Sequence, residues 1–124
     1  MLKRSFSKLF IIFAFAIPAA VSIAEASGGF RITGQSGVMH FVAIDSSQKD
    51  NEDVYRLAVG SACVRSPVCQ VHFWVGSAPS GFPFSEAQVQ SKVVSWQQNL
   101  NTGLRRWLVN CRASSLFLNE RECM

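Results

Sequence analysis

Four cysteines constrain this chain more than any other feature of its sequence. Cys63, Cys69, Cys111 and Cys123 all lie in the second half of a chain of 124 residues. An even number of cysteines in a small exported protein predicts disulfide bonds formed in an oxidising compartment. Three pairings can be drawn. We favour Cys63–Cys69 with Cys111–Cys123, because each bond closes a short local loop.

A metal site is the alternative use of the four cysteines. Their spacings, C-x5-C and C-x11-C, differ from the C-x2-C and H-x3-H spacings of zinc sites. A redox C-x-x-C motif is also absent from the sequence. We therefore predict structural disulfides, with no metal and no cofactor.

The first 26 residues have the pattern of a secretory signal peptide. Three basic residues precede the charge-free stretch 9–24, and Ala24 and Ala26 provide the small residues that a signal peptidase recognises. The apolar stretch is shorter than the roughly 20 residues of a membrane-spanning helix. An uncleaved membrane anchor is the alternative. We predict cleavage before Ser27, export to the periplasm or beyond, and no stable membrane anchor afterwards.

The domain that this cleavage leaves, residues 27–124, carries little net charge. Nine Lys and Arg residues stand against seven Asp and Glu, and the longest basic run is the pair Arg105 and Arg106. Nucleic-acid binding is associated with a strongly basic face, so this class is disfavoured. A single domain of this length has a marginal core, which disulfide bonds would stabilise.

Hydrophobic patterning predicts an α+β domain with the element order β-α-β-α-β-(β). Alternating or continuous apolar runs indicate the strands. The predicted strands are 38–44, 69–75 and 104–111, with a short last strand at 116–118. The pattern at 30–33 is compatible with a further short strand.

Two helices are predicted between these strands. The first spans 51–62, with Asp50 as its N-cap. The second spans 86–101, because Ser85 and Gln88 form a capping box and apolar residues recur at helical spacing. The apolar stripe of this helix consists of Val89, Val93, Trp96 and Leu100. We expect a sheet of three or four strands with both helices packed on one side, while the strand directions stay open.

Little in the sequence points to catalysis. His40 and His72 are the only histidines, and a base working near neutral pH would be one of them. His40 lies among apolar residues, as core histidines do, and His72 lies on the more polar face of its strand. A G-x-S-x-G motif is absent, and the acids of 45–53 lack the spacing of a calcium loop. We predict no enzymatic activity.

Two features favour binding. The segment Phe82-Pro83-Phe84 lies in a loop rich in Gly, Pro and Ser, which predicts Phe82 as an exposed anchor and Phe84 as a hydrophobic staple for the second helix. The second feature is the polar face of the predicted sheet, where Arg106 would lie near His72 and Trp74 if their strands are neighbours. A face that is simply solvated is the alternative interpretation. The candidate binding residues are Phe82, Trp74, Arg106 and His72.

These observations rank three functions. A non-catalytic exported binding protein, of inhibitor or immunity type, comes first, with another envelope or secreted protein as its partner. An accessory or structural component of an envelope or secretion assembly comes second. A small hydrolase comes third, because no catalytic motif supports it.

Overall fold

Residues 28–124 are described by the computed structural model, and their six strands form one mixed sheet. The strands are β1 (Phe30–Ser36), β2 (Met39–Ile44), β3 (Val68–Val75), β4 (Val94–Asn99), β5 (Leu104–Val109) and β6 (Arg121–Cys123), and the helices are α1 (Glu52–Ala62) and α2 (Glu86–Ser91). The strands follow chain order across the sheet. The pairs β2–β3 and β5–β6 are parallel, and the other neighbours are antiparallel. The predicted signal peptide and its cleavage site before Ser27 lie outside the described residues.

One side of the sheet, which we call the helix face, is covered by α1. Because side chains alternate along a strand, Val42 and Ile44 of β2 point to this face together with Val71 and Phe73 of β3. Buried α1 side chains complete the core. The predicted first helix is confirmed, but it begins one residue later than expected, because Asn51 rather than Asp50 caps it.

The segment after β5 closes the core at the other end of the helix face. Phe117 stacks on Trp107 with ring centroids 3.9 Å apart, and its backbone N–H donates to Glu52 Oε2. The predicted strand 116–118 is wrong. Residues 116–118 form a turn, and Phe117 has a positive φ of 54°, a left-handed conformation that a β-strand excludes. The last strand is β6 instead.

The second predicted helix is correct only in its first turns. The capping box of Ser85 and Gln88 is present, but α2 ends at Ser91 because Lys92 is extended. Residues 94–99 form β4, which pairs with β3 on one side and with β5 on the other. Those two ladders satisfy the backbone groups that a helix would have bonded internally. The expected helical stripe is therefore absent, and Val89 is exposed.

The two helices lie on opposite faces, which corrects the expectation that both pack on one side. Trp74 alternates with Phe73 along β3, so its indole points away from α1. The indole Nε1 donates to the backbone oxygen of Gln88 in α2 at 2.7 Å. We call this second side the loop face, since α2 and the preceding loop 76–85 cover part of it. The α+β class is confirmed, with six strands rather than three or four.

Both predicted disulfides are confirmed. Cys63–Cys69 joins the end of α1 to β3, and Cys111–Cys123 joins the chain after β5 to β6. No cysteine is left free in residues 28–124. Two disulfides are typical of an oxidising, extracellular environment. Within the same residues, neither helix has the length and apolar composition needed to cross a membrane.

Candidate functional site

The loop 76–85 is held against the loop face of the sheet by contacts at two points. Thr33 Oγ1 of β1 donates to the backbone oxygen of Pro79 at 2.7 Å. Gly34 allows the backbone of Ser80 to approach β1, because a Cβ at this position would collide with the Ser80 carbonyl. At its far end the loop runs into the capping box of α2. The loop is therefore held at its middle and at its end.

Four aromatic residues beneath and within this loop form what we call the aromatic cluster: Phe41, Trp74, Phe82 and Phe84. Phe41 is fully buried at its centre and meets Phe82 and Phe84 edge-on, with ring centroids 5.6 Å and 5.4 Å away. Phe82 and Phe84 stack on each other at 4.6 Å. Edge-on and stacked pairs are the favoured geometries for aromatic rings. The positions of both loop aromatics are thus set by packing.

The residues of the aromatic cluster differ in how far they are exposed to solvent. Phe82 is 53% exposed, whereas Trp74 is only 2% exposed beneath Phe84 and α2. Of the two aromatic candidates predicted from the sequence, only Phe82 presents surface to a partner. Trp74 supports the loop from below. Phe84 packs on Phe41 and Trp74, while Val89, the residue on which a staple would pack, is exposed.

A buried polar group around His72 adjoins the aromatic cluster. Its Nδ1 lies 3.1 Å from Lys92 Nζ and 3.1 Å from Ser95 Oγ, and its Nε2 lies 3.3 Å from Gln70 Oε1. An ammonium group only donates, so Nδ1 accepts and the ring is neutral. Burial, and then the positive charge of Lys92, lower the pKa of His72 to about 4. Burial also lowers the pKa of Lys92.

The pairing of Ser95 with His72 brings together a hydroxyl and a base, which is the first requirement for a serine nucleophile. Ser95 is 1% exposed, however, and a substrate carbonyl could not reach its oxygen. The lone pair of Nδ1 also faces the ammonium of Lys92. The arrangement therefore keeps His72 neutral and hydrogen-bonded below the surface of the sheet.

Arg106 lies on the loop face, as His72 and Trp74 do, with β4 between its own strand β5 and β3. Its Nε donates to Gln97 Oε1 at 2.8 Å, and its guanidinium pairs with Glu122 at 3.2 Å. Gln97 is in turn the register partner of Gln70, which contacts His72. The predicted binding residues His72, Trp74 and Arg106 therefore share one face. Arg106 is the most accessible of the three, and its charge is already paired.

Three residues of this site were missed by sequence reasoning: Phe41, Lys92 and Ser95. Lys92 and Ser95 both lie in the part of the predicted helix 86–101 that is not helical in the structure. Reading 94–99 as an alternating strand would have placed Ser95 on one face with Gln97, opposite Trp96. No local signal marks Phe41 as the centre of the aromatic cluster, because its partners Trp74, Phe82 and Phe84 are all more than 30 residues away in sequence.

The other histidine lies in the core, as expected. His40 is buried, and its Nε2 has no hydrogen-bond partner within the described part of the chain. Burial lowers its pKa. His40 therefore resists protonation in the folded state, as His72 does.

Comparison with models of protein families, with curated proteins and with solved structures gives no match for this chain. Over residues 28–124, no group of three or more His, Cys, Asp and Glu side chains is arranged to hold a metal ion.

Proposed function

We propose that this protein is an exported, non-catalytic binding domain of inhibitor or immunity type, whose partner is another envelope or secreted protein. The observation that carries the proposal is the environment of Phe82. Half of this side chain is exposed, while the ring is held by Phe41 and Phe84. An apolar ring that is both accessible and immobilised is suited to insertion into a pocket of a partner.

The energetic argument rests on preorganisation. Binding energy at protein interfaces is concentrated in a few residues, often aromatic or arginine. A side chain already held in one position loses little conformational entropy when it binds. Phe82 fulfils this condition because Thr33, Gly34 and the capping box of α2 hold its loop against the sheet.

The burial of the His72 group supports a binding function over a hydrolytic one. A hydrolase would need its nucleophile and base at a surface that substrate can enter. Ser95 and His72 both lie below the surface of the loop face. Their contacts instead stiffen the region next to the aromatic cluster.

The second candidate, a component of an envelope or secretion assembly, is favoured by one observation. β1 is a seven-residue strand at the edge of the sheet. Edge strands can pair with an extended segment of another chain. The register shift between Ile32 and Gly34 interrupts this edge and opposes such pairing. The binding domain anchored by Phe82 therefore remains the first proposal.

Capture of a partner on the immobilised mature domain tests the proposal. Envelope extract is passed over the wild-type domain, over Phe82→Ala and over Val64→Ala, and the captured protein is then purified and titrated against all three. Val64 is the matched control, because it is an apolar residue that is 72% exposed after α1. We expect Phe82→Ala to weaken binding by at least about tenfold, as at an interface hot spot. Equal affinity of the two variants would refute the role of Phe82.

A crosslinking experiment separates the two candidate functions. A photoreactive amino acid is placed at position 82 in one variant and at Gln35 of β1 in another. Crosslinks from position 82 alone support a binding domain that uses the loop. Crosslinks from position 35 alone support strand addition in an assembly.

A further inference from the structure

A second concave site lies on the helix face, away from Phe82. A cavity of about 430 Å³ opens between α1 and the strands β4 and β5. This volume is within the range of small-molecule sites. Its lining includes Arg56, Trp96, Arg105, Arg106, Trp107 and Glu120.

The indoles of Trp96 and Trp107 give the cavity an aromatic wall. Their ring centroids are 4.8 Å apart. Trp107 is buried and stacked on Phe117, while Trp96 is partly exposed. Trp96 Nε1 donates to Gln98 Oε1 at 3.1 Å, which orients the exposed ring. The wall therefore consists of two indoles inclined at 56° to each other, of which the partly exposed Trp96 offers a flat ring face to a ligand.

The charges of the cavity favour an anion. Arg56 pairs with Glu120 at 2.6 Å and lies over the ring of Phe117. Arg105 is exposed at the rim and forms no ion pair within residues 28–124. Three arginines therefore line a cavity that holds one carboxylate, and the charge of Arg106 is paired with Glu122, which is not part of the lining. A guanidinium is the side chain that best matches a carboxylate in two parallel hydrogen bonds.

From this arrangement we infer that the cavity binds a sugar ring that carries a carboxylate. The C–H face of the ring packs on Trp96, and the carboxylate pairs with Arg105. Glu120 uses one oxygen for Arg56 and keeps its other oxygen as an acceptor for a sugar hydroxyl. An aromatic acid would offer no hydroxyl to Glu120, and an acidic peptide side chain would offer no flat face to Trp96.

This inference goes beyond the proposed protein-binding function and does not depend on it. The cavity is on the opposite side of the sheet from the aromatic cluster. Substitution at Phe82 is therefore expected to leave sugar binding unchanged, and substitution at Arg105 is expected to leave partner capture unchanged.

The indole N–H signals in ¹H–¹⁵N NMR spectra of the mature domain provide the test. The probes are glucuronate, glucose as its neutral counterpart, and benzoate as an aromatic acid. We expect glucuronate to shift the Trp96 signal in a saturable manner. The Trp74 signal is the internal reference, because its N–H donates to Gln88 on the other face.

Two exposed arginines supply a matched pair of variants. Arg105→Gln is expected to weaken glucuronate binding by at least about tenfold. Arg112→Gln, at an arginine that lies outside the lining of this cavity, should leave the affinity unchanged. Trp96→Phe keeps an aromatic ring and is expected to weaken binding by a smaller factor. The inference is overturned by the absence of a Trp96 shift up to about 20 mM glucuronate. Equal or tighter binding of glucose or benzoate, or an equal loss in Arg112→Gln, also overturns it.

Discussion

The imidazole of His72 and the ammonium of Lys92 are in direct contact, with Nδ1 3.1 Å from Nζ. The contact holds a neutral histidine against a cation, because Nδ1 accepts and Nε2 carries the proton that faces Gln70. Protonation of the ring would place two positive charges together under the sheet surface. The pair therefore couples the stability of the domain to pH.

We predict that the domain loses stability as the pH falls from 6.5 towards 4. The folded pKa of His72, about 4, lies below the value of 6.5 expected in the unfolded chain. The unfolded state therefore binds more protons in this window, and acid favours unfolding. The difference between the folded and unfolded pKa values corresponds to at most about 3–4 kcal/mol. Urea unfolding of the mature domain at a series of pH values measures this loss.

The control for this titration is His72→Gln, which cannot be protonated. In this variant the loss of stability at low pH should shrink to the part contributed by His40, whose pKa is also lowered by burial. Lys92→Met removes a positive charge beside His72, so it should raise the pKa of His72 and also reduce the loss of stability at low pH. An unchanged pH dependence in His72→Gln would contradict the prediction.

The aromatic residues should differ in their contribution to stability according to burial. Trp107→Ala removes a ring that is 3% exposed and stacked on Phe117, so it should cost about 3–5 kcal/mol. Phe82→Ala removes a half-exposed ring and should cost about 1 kcal/mol. Trp96, which is partly exposed, should lie between them. Denaturant midpoints of the three variants give the ranking. A loss for Phe82→Ala equal to that for Trp107→Ala would show that the loop is part of the core.

Two glycine substitutions should act in opposite directions. Gly34→Ala places a methyl group against the carbonyl of Ser80, so the loop must shift and the domain should lose about 1–3 kcal/mol. Gly60→Ala adds a methyl group to α1 where no atom lies within 4 Å, and it should stabilise by about 0.5–1 kcal/mol. Thermal melts measure both changes. A neutral Gly34→Ala variant would show that the loop is not held at this point.

The two disulfides should contribute unequally. Replacing Cys63 and Cys69 by serine opens a loop with a sequence separation of 6, which corresponds to about 2.4 kcal/mol of chain entropy. Replacing Cys111 and Cys123 opens a separation of 12, which corresponds to about 2.9 kcal/mol, and also frees the short strand β6. Unfolding in denaturant should show a larger loss of stability when Cys111 and Cys123 are replaced than when Cys63 and Cys69 are replaced. The reverse ranking would contradict the loop-entropy argument.

The sequence alone determined those features whose causes lie within a few residues. The disulfide pairing was predictable because each bond closes a short loop, and α1 was predictable from its cap and apolar pattern. The alternating pattern of 69–75 indicated β3, and Ser85 with Gln88 indicated the start of α2. In each case the stabilising contact connects near neighbours in the chain.

Tertiary contacts decided the remainder. The segment 94–99 has apolar residues compatible with a helix and also with a strand, and pairing with both β3 and β5 selected the strand. That choice placed α2 on the loop face and brought Ser95 to His72. Likewise, Phe82 was predictable as an aromatic residue in a stiff loop, but only the packing of Phe41 beneath it determines how its ring is held. Local pattern sets which conformations a segment can adopt, and long-range hydrogen bonds and burial select among them.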